Sequence, residues 1–185
     1  FPQIGSIGVD LNRNYNGSCN GISQGAWGTT TTYGTTHNPW ESTYCGPHPF
    51  SEIETKAVRD LYLAHDFILS VSYHTHSELV IWPWGYAGDQ VTPDDDLIGD
   101  IGREMASRIR KQSSLDPYDA AQAPMLGYST SGDTDDWAYG ELSQKNRFYC
   151  YTIELNTYEE GGFGPPDNLI QPTFDWLLLC VTESG

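Results

Sequence analysis

Two histidines and a glutamate stand at the end of an apolar run that has the composition of a buried strand. His74, His76 and Glu78 follow the run Phe-Ile-Leu-Ser-Val at 67–71. Removing imidazole and carboxylate groups from water is costly, so a chain usually keeps them at such a place only where they bind something. The cluster therefore predicts a metal or substrate site at the end of a strand.

The two histidines need not both bind metal. Alternate residues of a strand face the same side, so His74 and His76 could share an ion. Thr75 begins a polar turn where that alternation can fail, which favours one ligand with one neighbouring histidine. The sequence contains no His-x-x-Glu and no His-Glu-x-x-His motif. His74 alone does not make a zinc site.

Glu154 is an acid inside a second apolar run, Tyr-Thr-Ile-Glu-Leu at 151–155. Desolvation at such a position raises the pKa of a carboxylate toward neutrality, and a general base requires that property. A salt bridge at a strand end is an equally weighted alternative. Glu154 is therefore a candidate general base.

A basic and an acidic cluster lie elsewhere in the chain. Arg13, between two asparagines, offers a planar fork that suits a carboxylate, although most arginines are simply surface residues. Asp133, Asp135 and Asp136 crowd one loop beside Trp137. A helix cap explains one or two of these acids. Because three acids exceed what a cap requires, the cluster predicts an electronegative pocket.

Charge and composition limit the classes of partner. The chain has 185 residues, with 9 Lys+Arg against 25 Asp+Glu and a net charge of -16. This excess of acids disfavours nucleic acid and anionic membrane surfaces as partners. With 38% hydrophobic residues, the chain is expected to form one globular domain. It has no apolar run long enough to span a bilayer.

Four widely spaced cysteines, Cys19, Cys45, Cys150 and Cys180, form no Cys-x-x-Cys pair, which argues against a zinc ribbon. Their even number and the scarcity of lysine predict an exported protein with two disulfides. Sequence alone leaves the pairing open, with 19–45 and 150–180 as the working choice. The start Phe-Pro-Gln-Ile has neither Met nor a signal peptide, so we expect a trimmed chain.

Hydrophobic periodicity and capping signals predict alternating strands and helices. The predicted elements are a strand at 7–11, a loop at 16–50, a helix from a Ser51/Glu54 capping box to 64, strands at 67–73 and 79–83, a helix opened by acids at 94–96, a short helix from 136, a strand at 148–155 and a helix at 169–181. The pattern predicts an α/β fold with a mixed sheet flanked by helices.

Five ordered blocks resemble the zinc metallocarboxypeptidases of the funnelin type, the carboxypeptidase A/B/T family. The blocks are Gly-Val-Asp-Leu-Asn-Arg-Asn-Tyr at 8–15 and the segments 49–55, 73–86, 128–137 and 151–163. Together they cover nearly the whole chain. The resemblance implies the zinc carboxypeptidase fold, with residues 1–185 as the C-terminal two-thirds of one catalytic domain.

The resemblance also implies roles at the reacting centre. His74 matches the third zinc ligand, and Glu154 matches the general base that activates the zinc-bound water. Asn12 and Arg13 match the pair that holds the substrate's terminal carboxylate, which makes such an enzyme an exopeptidase. Asp10 matches an acid that orients a zinc-binding histidine.

Further matches concern the substrate. Tyr128 matches a mobile tyrosine that closes over it, and His76 falls where relatives often carry a tyrosine beside it. Asp135 falls at the base of the specificity pocket, where an acid resembles the preference for C-terminal Lys or Arg. Asp133 resembles an acid of carboxypeptidase T, which has broader specificity.

The resemblance implies peptide or protein C-termini as substrates and a secreted, extracellular or periplasmic location. The resemblance implies one zinc ion in the intact enzyme. The family's His-x-x-Glu motif lies before the first block and is absent here, so this chain is expected to be inactive alone. A bare sheet edge should then associate with the missing N-terminal segment or a second copy.

Three alternatives stay open. The first is a non-catalytic relative that binds peptides without metal. The second is a glycosidase that uses Glu154 with Asp135 or Asp136. The third is an amidase or carboxypeptidase of cell-wall peptides.

Overall fold

The computed structural model describes residues 8–17, 26–30 and 34–182. The chain divides into two compact units. The first unit comprises Phe1–Ser70, Pro83–Thr92 and Gln122–Cys150, and the second comprises Val71–Trp82, Pro93–Ala121 and Tyr151–Gly185. Within the described part, no helix has both the length and the apolar character that crossing a membrane requires.

A four-stranded sheet contains the two strands that bear the candidate site residues His74 and Glu154. Its strands are β1 Leu69–Thr75, β2 Leu79–Trp82, β3 Asp119–Gln122 and β4 Tyr149–Leu155, in the order β1-β4-β2-β3. β2 pairs antiparallel with β4, and Leu79 lies opposite Glu154.

The neighbouring strands β1 and β4 run parallel. Tyr149 N donates to Ile68 O at 3.0 Å where both strands start, and Ser77 N donates to Asn156 O at 2.7 Å just beyond their ends. The sheet is therefore mixed, and helices flank it, as the sequence predicts.

Helix α2, Asp95–Arg108, packs on β2 in the second unit. Asp95 and Asp96 in its first turn and Arg108 in its last turn complement the helix dipole. Its buried positions are Ile98, Gly99, Gly102 and Ala106. A Cβ on Gly102 would lie 2.6 Å from the ring of Trp82, so only glycine permits this close approach. Helix α4, Ile170–Thr182, also contacts α2.

Aromatic rings form the centre of the first unit, which contains helices α1, Ile53–Ala64, and α3, Thr134–Gly140. The ring of Trp137 lies 5.8 Å from that of Tyr15, 5.3 Å from that of Phe50 and 6.3 Å from that of Tyr62. These contacts join α3 to α1 and to the segment that follows Arg13. Trp137 thereby anchors the short helix α3 in the aromatic interior of the first unit.

Three local predictions differ from the structure. Leu11 begins a 3-10 turn, Leu11–Arg13, instead of ending a strand, because the Asp10 carboxylate accepts from Asn12 N at 3.0 Å. The predicted capping box of α1 is also wrong, since the Ser51 hydroxyl bonds the Glu52 carboxylate at 2.6 Å. Strand β3 was not predicted, because Asp-Ala-Ala-Gln contains no β-branched or aromatic residue.

Cys45 and Cys150 are buried free thiols, so neither predicted disulfide is present. Burial raises the pKa of both thiols, which disfavours the thiolate that disulfide exchange requires. Cys45 Sγ instead lies 3.6 Å from His37 Nδ1. Cys19 and the side chain of Cys180 lie outside the described residues.

Candidate active site

His74 lies near the end of β1 with its ring held by a serine. Ser72 Oγ is 2.9 Å from His74 Nε2, because residues two apart on a strand face the same side. This contact restrains the orientation of the imidazole ring, and neutral imidazole is a common metal ligand. The arrangement has the chemistry of a metal-binding histidine oriented by a neighbour.

Glu154 lies half-buried near the end of β4, beside the end of β1. Hydrogen bonds join Ile68 to Tyr149 before the two strands and Ser77 to Asn156 beyond them, and the chain numbers of the two pairs differ by nearly the same amount. The numbers of His74 and Glu154 differ by that amount too. These two residues therefore lie at the same level of neighbouring strands. Ligand sites of α/β sheets form at such carboxyl ends. The structure thus brings these two predicted residues together in the second unit.

Asn156, two residues beyond Glu154, fixes the strand ends. It is buried and adopts a positive φ of 56°. Its carbonyl accepts from Ser77 N, while its Oδ1 accepts from the hydroxyl of Thr173 at 2.9 Å and from Gln112 Nε2 at 3.4 Å. A polar network from two other segments therefore holds the turns that follow both site strands.

Glu78, from the first motif of the sequence, is part of the interior of the second unit. It is 4% exposed, and its Oε1 accepts from Gln112 N at 2.9 Å. Burial is the main cause that raises its pKa. Tyr118 also has a raised pKa, first from burial and then from the Glu78 charge. Glu78 supports the turn after β1 from inside the unit.

His76 packs among aromatic rings. Its ring lies 5.7 Å from that of Tyr158 and 5.0 Å from that of Phe163. Phe163 is 86% exposed. This exposed aromatic surface suits contact with a peptide, and the substrate-binding role of His76 stays a prediction.

The turn at 10–13 in the first unit positions an amide and a guanidinium. Asp10 Oδ1 accepts from Asn12 N, and Asp10 Oδ2 lies 4.0 Å from Arg13 Nε. Arg13 Nε donates to the Gly34 carbonyl, and Nη1 donates to Asn12 O at 2.7 Å. Backbone carbonyls therefore fix one edge of the guanidinium fork. The predicted role of Asp10 toward a zinc-binding histidine stays a prediction.

The side chain of Asn12 bonds the start of α3. Its Oδ1 accepts from Thr134 N and from Thr134 Oγ1, each at 2.9 Å. A backbone N–H only donates, so the oxygen of this amide is identified by its partner and Nδ2 is the opposite, donating end. No sequence pattern predicts this contact, because the two residues are more than a hundred positions apart.

Asp133 and Asp136 form hydrogen bonds with the first turn of α3, with Thr130 and with the backbone at Gly85. Asp133 caps α3, because its Oδ1 accepts from Asp136 N at 2.7 Å, and its Oδ2 accepts from Thr130 Oγ1 at 2.5 Å. Asp136 is fully buried and accepts from Gly85 N at 2.8 Å. A Cβ on Gly85 would lie 2.6 Å from Asp133 Oδ2, so glycine is required there. The substrate-binding role predicted for Asp133 stays untested beside this cap.

Asp135 is the remaining acid of the cluster and is half-buried. After burial, its charge is the leading electrostatic contribution that raises the pKa of Cys150, and it also contributes to the raised pKa of Tyr15 and Tyr62. The negative charge of Asp135 therefore acts on groups in the aromatic interior of the first unit. Such a charge favours a cation over a neutral group.

Tyr128 lies half-buried in the loop after a 3-10 helix, Ala123–Leu126. Gly127 ends that helix with a φ of 105°, a conformation that favours glycine. Tyr128 N donates to Ala123 O at 3.4 Å. A tyrosine next to a glycine turn suits a side chain that changes position, although that role stays a prediction.

Asn14 is a residue whose importance the sequence did not predict. It is fully buried, and its Nδ2 donates to Cys45 O at 2.8 Å, to His48 O at 3.0 Å and to Ser51 Oγ at 3.0 Å. Its Oδ1 accepts from Thr55 Oγ1 at 2.9 Å. These bonds fix the chain immediately after Arg13. Its place beside Arg13 in an Asn-Arg-Asn triplet was the one available signal.

The described residues contain no group of three or more His, Cys, Asp or Glu side chains that could hold a metal ion. The chemistry of His74 fits one zinc ligand, because imidazole binds zinc and Ser72 orients the ring. A zinc site needs three or four protein ligands. The described part of the chain therefore supplies one candidate ligand and does not complete a zinc site.

Known proteins have sequences similar to that of this chain. A family model described as zinc carboxypeptidase matches residues 3–176. The chain is 32% identical over 181 residues to carboxypeptidase A4 of Mus musculus, covering 96% of this chain and 39% of that protein. It is 31% identical over 176 residues to carboxypeptidase B of Astacus astacus, covering 92% of this chain and 52% of that protein.

Solved structures show the same similarity. The structure of bovine thrombin-activatable fibrinolysis inhibitor in complex with tick carboxypeptidase inhibitor matches with a TM-score of 0.75 and 25% identity, covering 98% of this chain and 57% of that chain. A crystal structure of thrombin activatable fibrinolysis inhibitor matches with a TM-score of 0.76 and 26% identity, covering 98% and 42%. The chain spans about half the length, or less, of the curated relatives named above.

Proposed function

Since this chain belongs to the zinc carboxypeptidase family, we propose that the intact protein removes the C-terminal residue of peptides, with a preference for Lys or Arg. The observation that carries this proposal is the first turn of α3. There Thr134 bonds the Asn12 amide, and the next residue, Asp135, carries its charge into the interior of the same unit. One short segment thus joins a candidate carboxylate site to a candidate side-chain site.

Asn12 and Arg13 are proposed to hold the free carboxylate of the substrate. The Asn12 oxygen is engaged by Thr134, so its Nδ2 is the donating end, and Arg13 is held by backbone carbonyls. A carboxylate bound to a guanidinium and an amide forms charge-assisted hydrogen bonds. A peptide whose terminus is amidated lacks that charge and should bind poorly. This selects exopeptidase action.

Glu154 is proposed as the general base. Its carboxylate would take a proton from the attacking water and pass it to the leaving amine. A zinc ion in such an enzyme polarises the peptide carbonyl and lowers the pKa of water. His74 would contribute one ligand in the intact protein. The sequence contains no His-x-x-Glu motif, so we propose that the 185-residue chain alone is inactive.

Asp135 is proposed to set the preference for a cationic side chain, because an acid in a half-buried place loses solvation that a Lys or Arg can replace. Asp133 caps α3 and accepts from Thr130, whereas the charge of Asp135 acts on the interior of the first unit, so we assign the selectivity to Asp135. Tyr128 is proposed to close over the bound residue, and His76 to contact the residues before the cleaved bond.

The edge of the sheet suggests an additional partner. β1 ends the strand order of the described sheet, and its burial pattern includes no fully buried residue. Such an edge presents hydrogen-bonding groups to another strand. We propose that a further segment of the intact protein, or a second copy, pairs there. An extracellular or periplasmic location is also part of this proposal.

The experiment compares two peptides that end in Lys, one as the free acid and one as the amide, incubated with the intact zinc-loaded protein. We expect removal of Lys from the free acid alone. Arg13→Ala should lower kcat/KM for the free acid by about a hundredfold, as loss of a charged hydrogen-bonding partner does. Arg103→Ala, an exposed arginine of α2, is the matched control. Equal cleavage of both peptides would refute the proposal, and binding without cleavage would support the non-catalytic alternative.

A further inference from the structure

The Asn12 side chain is fixed from one direction by a single residue. Thr134 donates to its Oδ1 twice, from the backbone N and from Oγ1, each at 2.9 Å. Two donors on one oxygen restrict the rotation of the amide about its last side-chain bond. Nδ2 is consequently directed to the side opposite Thr134.

The Thr134 hydroxyl is itself held by a tyrosine. Tyr15 is 4% exposed, and its hydroxyl forms a side-chain hydrogen bond with Thr134. The Thr134 hydroxyl donates to Asn12 Oδ1, so one side chain contacts both Tyr15 and Asn12. Burial raises the pKa of Tyr15, and the contact with Thr134 lowers it.

The backbones of the two segments also meet. Tyr15 N donates to Gly132 O at 2.8 Å. Gly132 has a φ of 70°, and a Cβ there would lie 2.6 Å from Arg13 O. No other residue permits this approach without displacement. The turn that carries Asn12 and the start of α3 are therefore held in one register.

We propose that Thr134 is a positioning residue that couples recognition of the terminal carboxylate to recognition of the terminal side chain. This inference rests on the proposed function. Thr134 orients the Asn12 amide through its hydroxyl and precedes Asp135 directly, so it sets the separation between the two binding groups. In the C-terminal residue of a substrate, the distance between the carboxylate and the cationic end of the side chain must match that separation.

Loss of the hydroxyl should weaken carboxylate recognition while leaving the fold in place. In Thr134→Val, Asn12 keeps only the backbone donor, and its amide gains freedom to rotate. We expect the preference for a free acid over an amide to fall about tenfold, the size of one hydrogen bond to a charged group. Thr134→Ser retains both bonds and should retain the preference. Thr36→Val, on the same unit, is the matched control for removal of a threonine hydroxyl.

The experiment measures dissociation constants by calorimetry for a Lys-terminated peptide, as the free acid and as the amide. The intact zinc-loaded protein carries Glu154→Gln throughout so that the peptide is not cleaved. Thr134→Val should raise the dissociation constant of the free acid and leave that of the amide nearly unchanged. Combined with Asn12→Ala, it should have no additional effect, because Thr134 acts through Asn12.

The outcomes separate the two hypotheses. If the parent protein does not prefer the free acid, or if Arg13→Ala leaves its preference intact, the proposed function fails. If Arg13→Ala abolishes the preference and folded Thr134→Val keeps it, the role of Thr134 is overturned. Thermal melting establishes folding, and Thr134→Ala replaces the valine variant if that variant unfolds at the assay temperature. Full additivity with Asn12→Ala would also contradict the inference.

Discussion

Ser72 Oγ lies 2.9 Å from Nε2 of His74, two residues further along β1. The strand period of two puts both side chains on one face, so the hydroxyl restrains the orientation of the ring. This contact gives the histidine of the first sequence motif a local support. It also makes the support separately testable.

Ser72→Ala should weaken zinc binding by the intact protein. Loss of a partner that orients a metal-binding histidine lowers metal affinity about tenfold to a hundredfold. Competition with a chelating dye measures that affinity. Ser70→Ala is the control, because Ser70 lies on the same strand and bonds the Tyr62 hydroxyl instead. Unchanged zinc affinity in Ser72→Ala would show that the serine does not support a metal ligand.

Asp135→Asn should change the specificity of the intact protein more than its general activity. The negative charge that favours Lys over Leu at the peptide C-terminus would be lost. We expect the ratio of kcat/KM values for the two peptides to fall about thirtyfold or more. Asp167→Asn, at an exposed position, controls for net charge. A ratio that survives in Asp135→Asn would transfer the selectivity to another residue.

Asp133→Ala should act on stability. Removing the side chain that caps α3 should lower the free energy of unfolding by about 1 kcal/mol. Urea denaturation measures this difference. If the Lys/Leu ratio collapses while stability is unchanged, Asp133 is a specificity residue and its capping role is secondary.

Asn14→Ala should be strongly destabilising. It leaves two carbonyls and two hydroxyls without the partner that Asn14 provides inside the first unit. We expect a loss of about 3 kcal/mol in the free energy of unfolding. Asn38→Ala, at an exposed loop position, should cost about 0.5 kcal/mol or less. Similar losses for the two variants would contradict the role of Asn14.

Glu78→Gln should stabilise the protein increasingly as pH rises. Burial raises the pKa of Glu78 above its ordinary value of 4.5, so the unfolded state loses this proton first. The contribution of Glu78 to stability is full below about pH 4 and declines as pH passes through the raised pKa. Glutamine keeps an oxygen for Gln112 N without the charge.

Urea denaturation at about pH 4 and about pH 7 tests this dependence. The advantage of Glu78→Gln over the parent should be near zero at the lower pH and larger at the higher pH. Glu159→Gln, at an exposed position, should show no such trend. An advantage that is constant with pH would contradict a raised pKa for Glu78.

The sequence predicted the residues whose chemistry conflicts with their surroundings. His74 and Glu154 stood out because polar groups at the ends of apolar runs are costly, and α2 was marked by acids at its start. The partners that hold the site were not predictable in this way. Ser72 looks like any strand serine, and the contact of Thr134 with Asn12 joins distant parts of the chain.

Errors in the predicted elements arose from competition by side chains. The Asp10 carboxylate turns the predicted strand into a 3-10 turn, and Ser51 is taken by Asn14 and Glu52 instead of a capping box. Buried, protonated thiols replaced the predicted disulfides at Cys45 and Cys150. In each case the structure is determined by a contact or by burial in the folded chain that the sequence pattern does not show.

The roles of Glu154 and of the terminal carboxylate are tested together with the intact zinc-loaded protein and a peptide that ends in Lys. Mass spectrometry follows the peptide with the parent protein and with Glu154→Gln at equal zinc content. We expect loss of one C-terminal residue with the parent and a rate lower by about a thousandfold or more with the variant. Equal rates for the two proteins, or cleavage within the peptide, would contradict it.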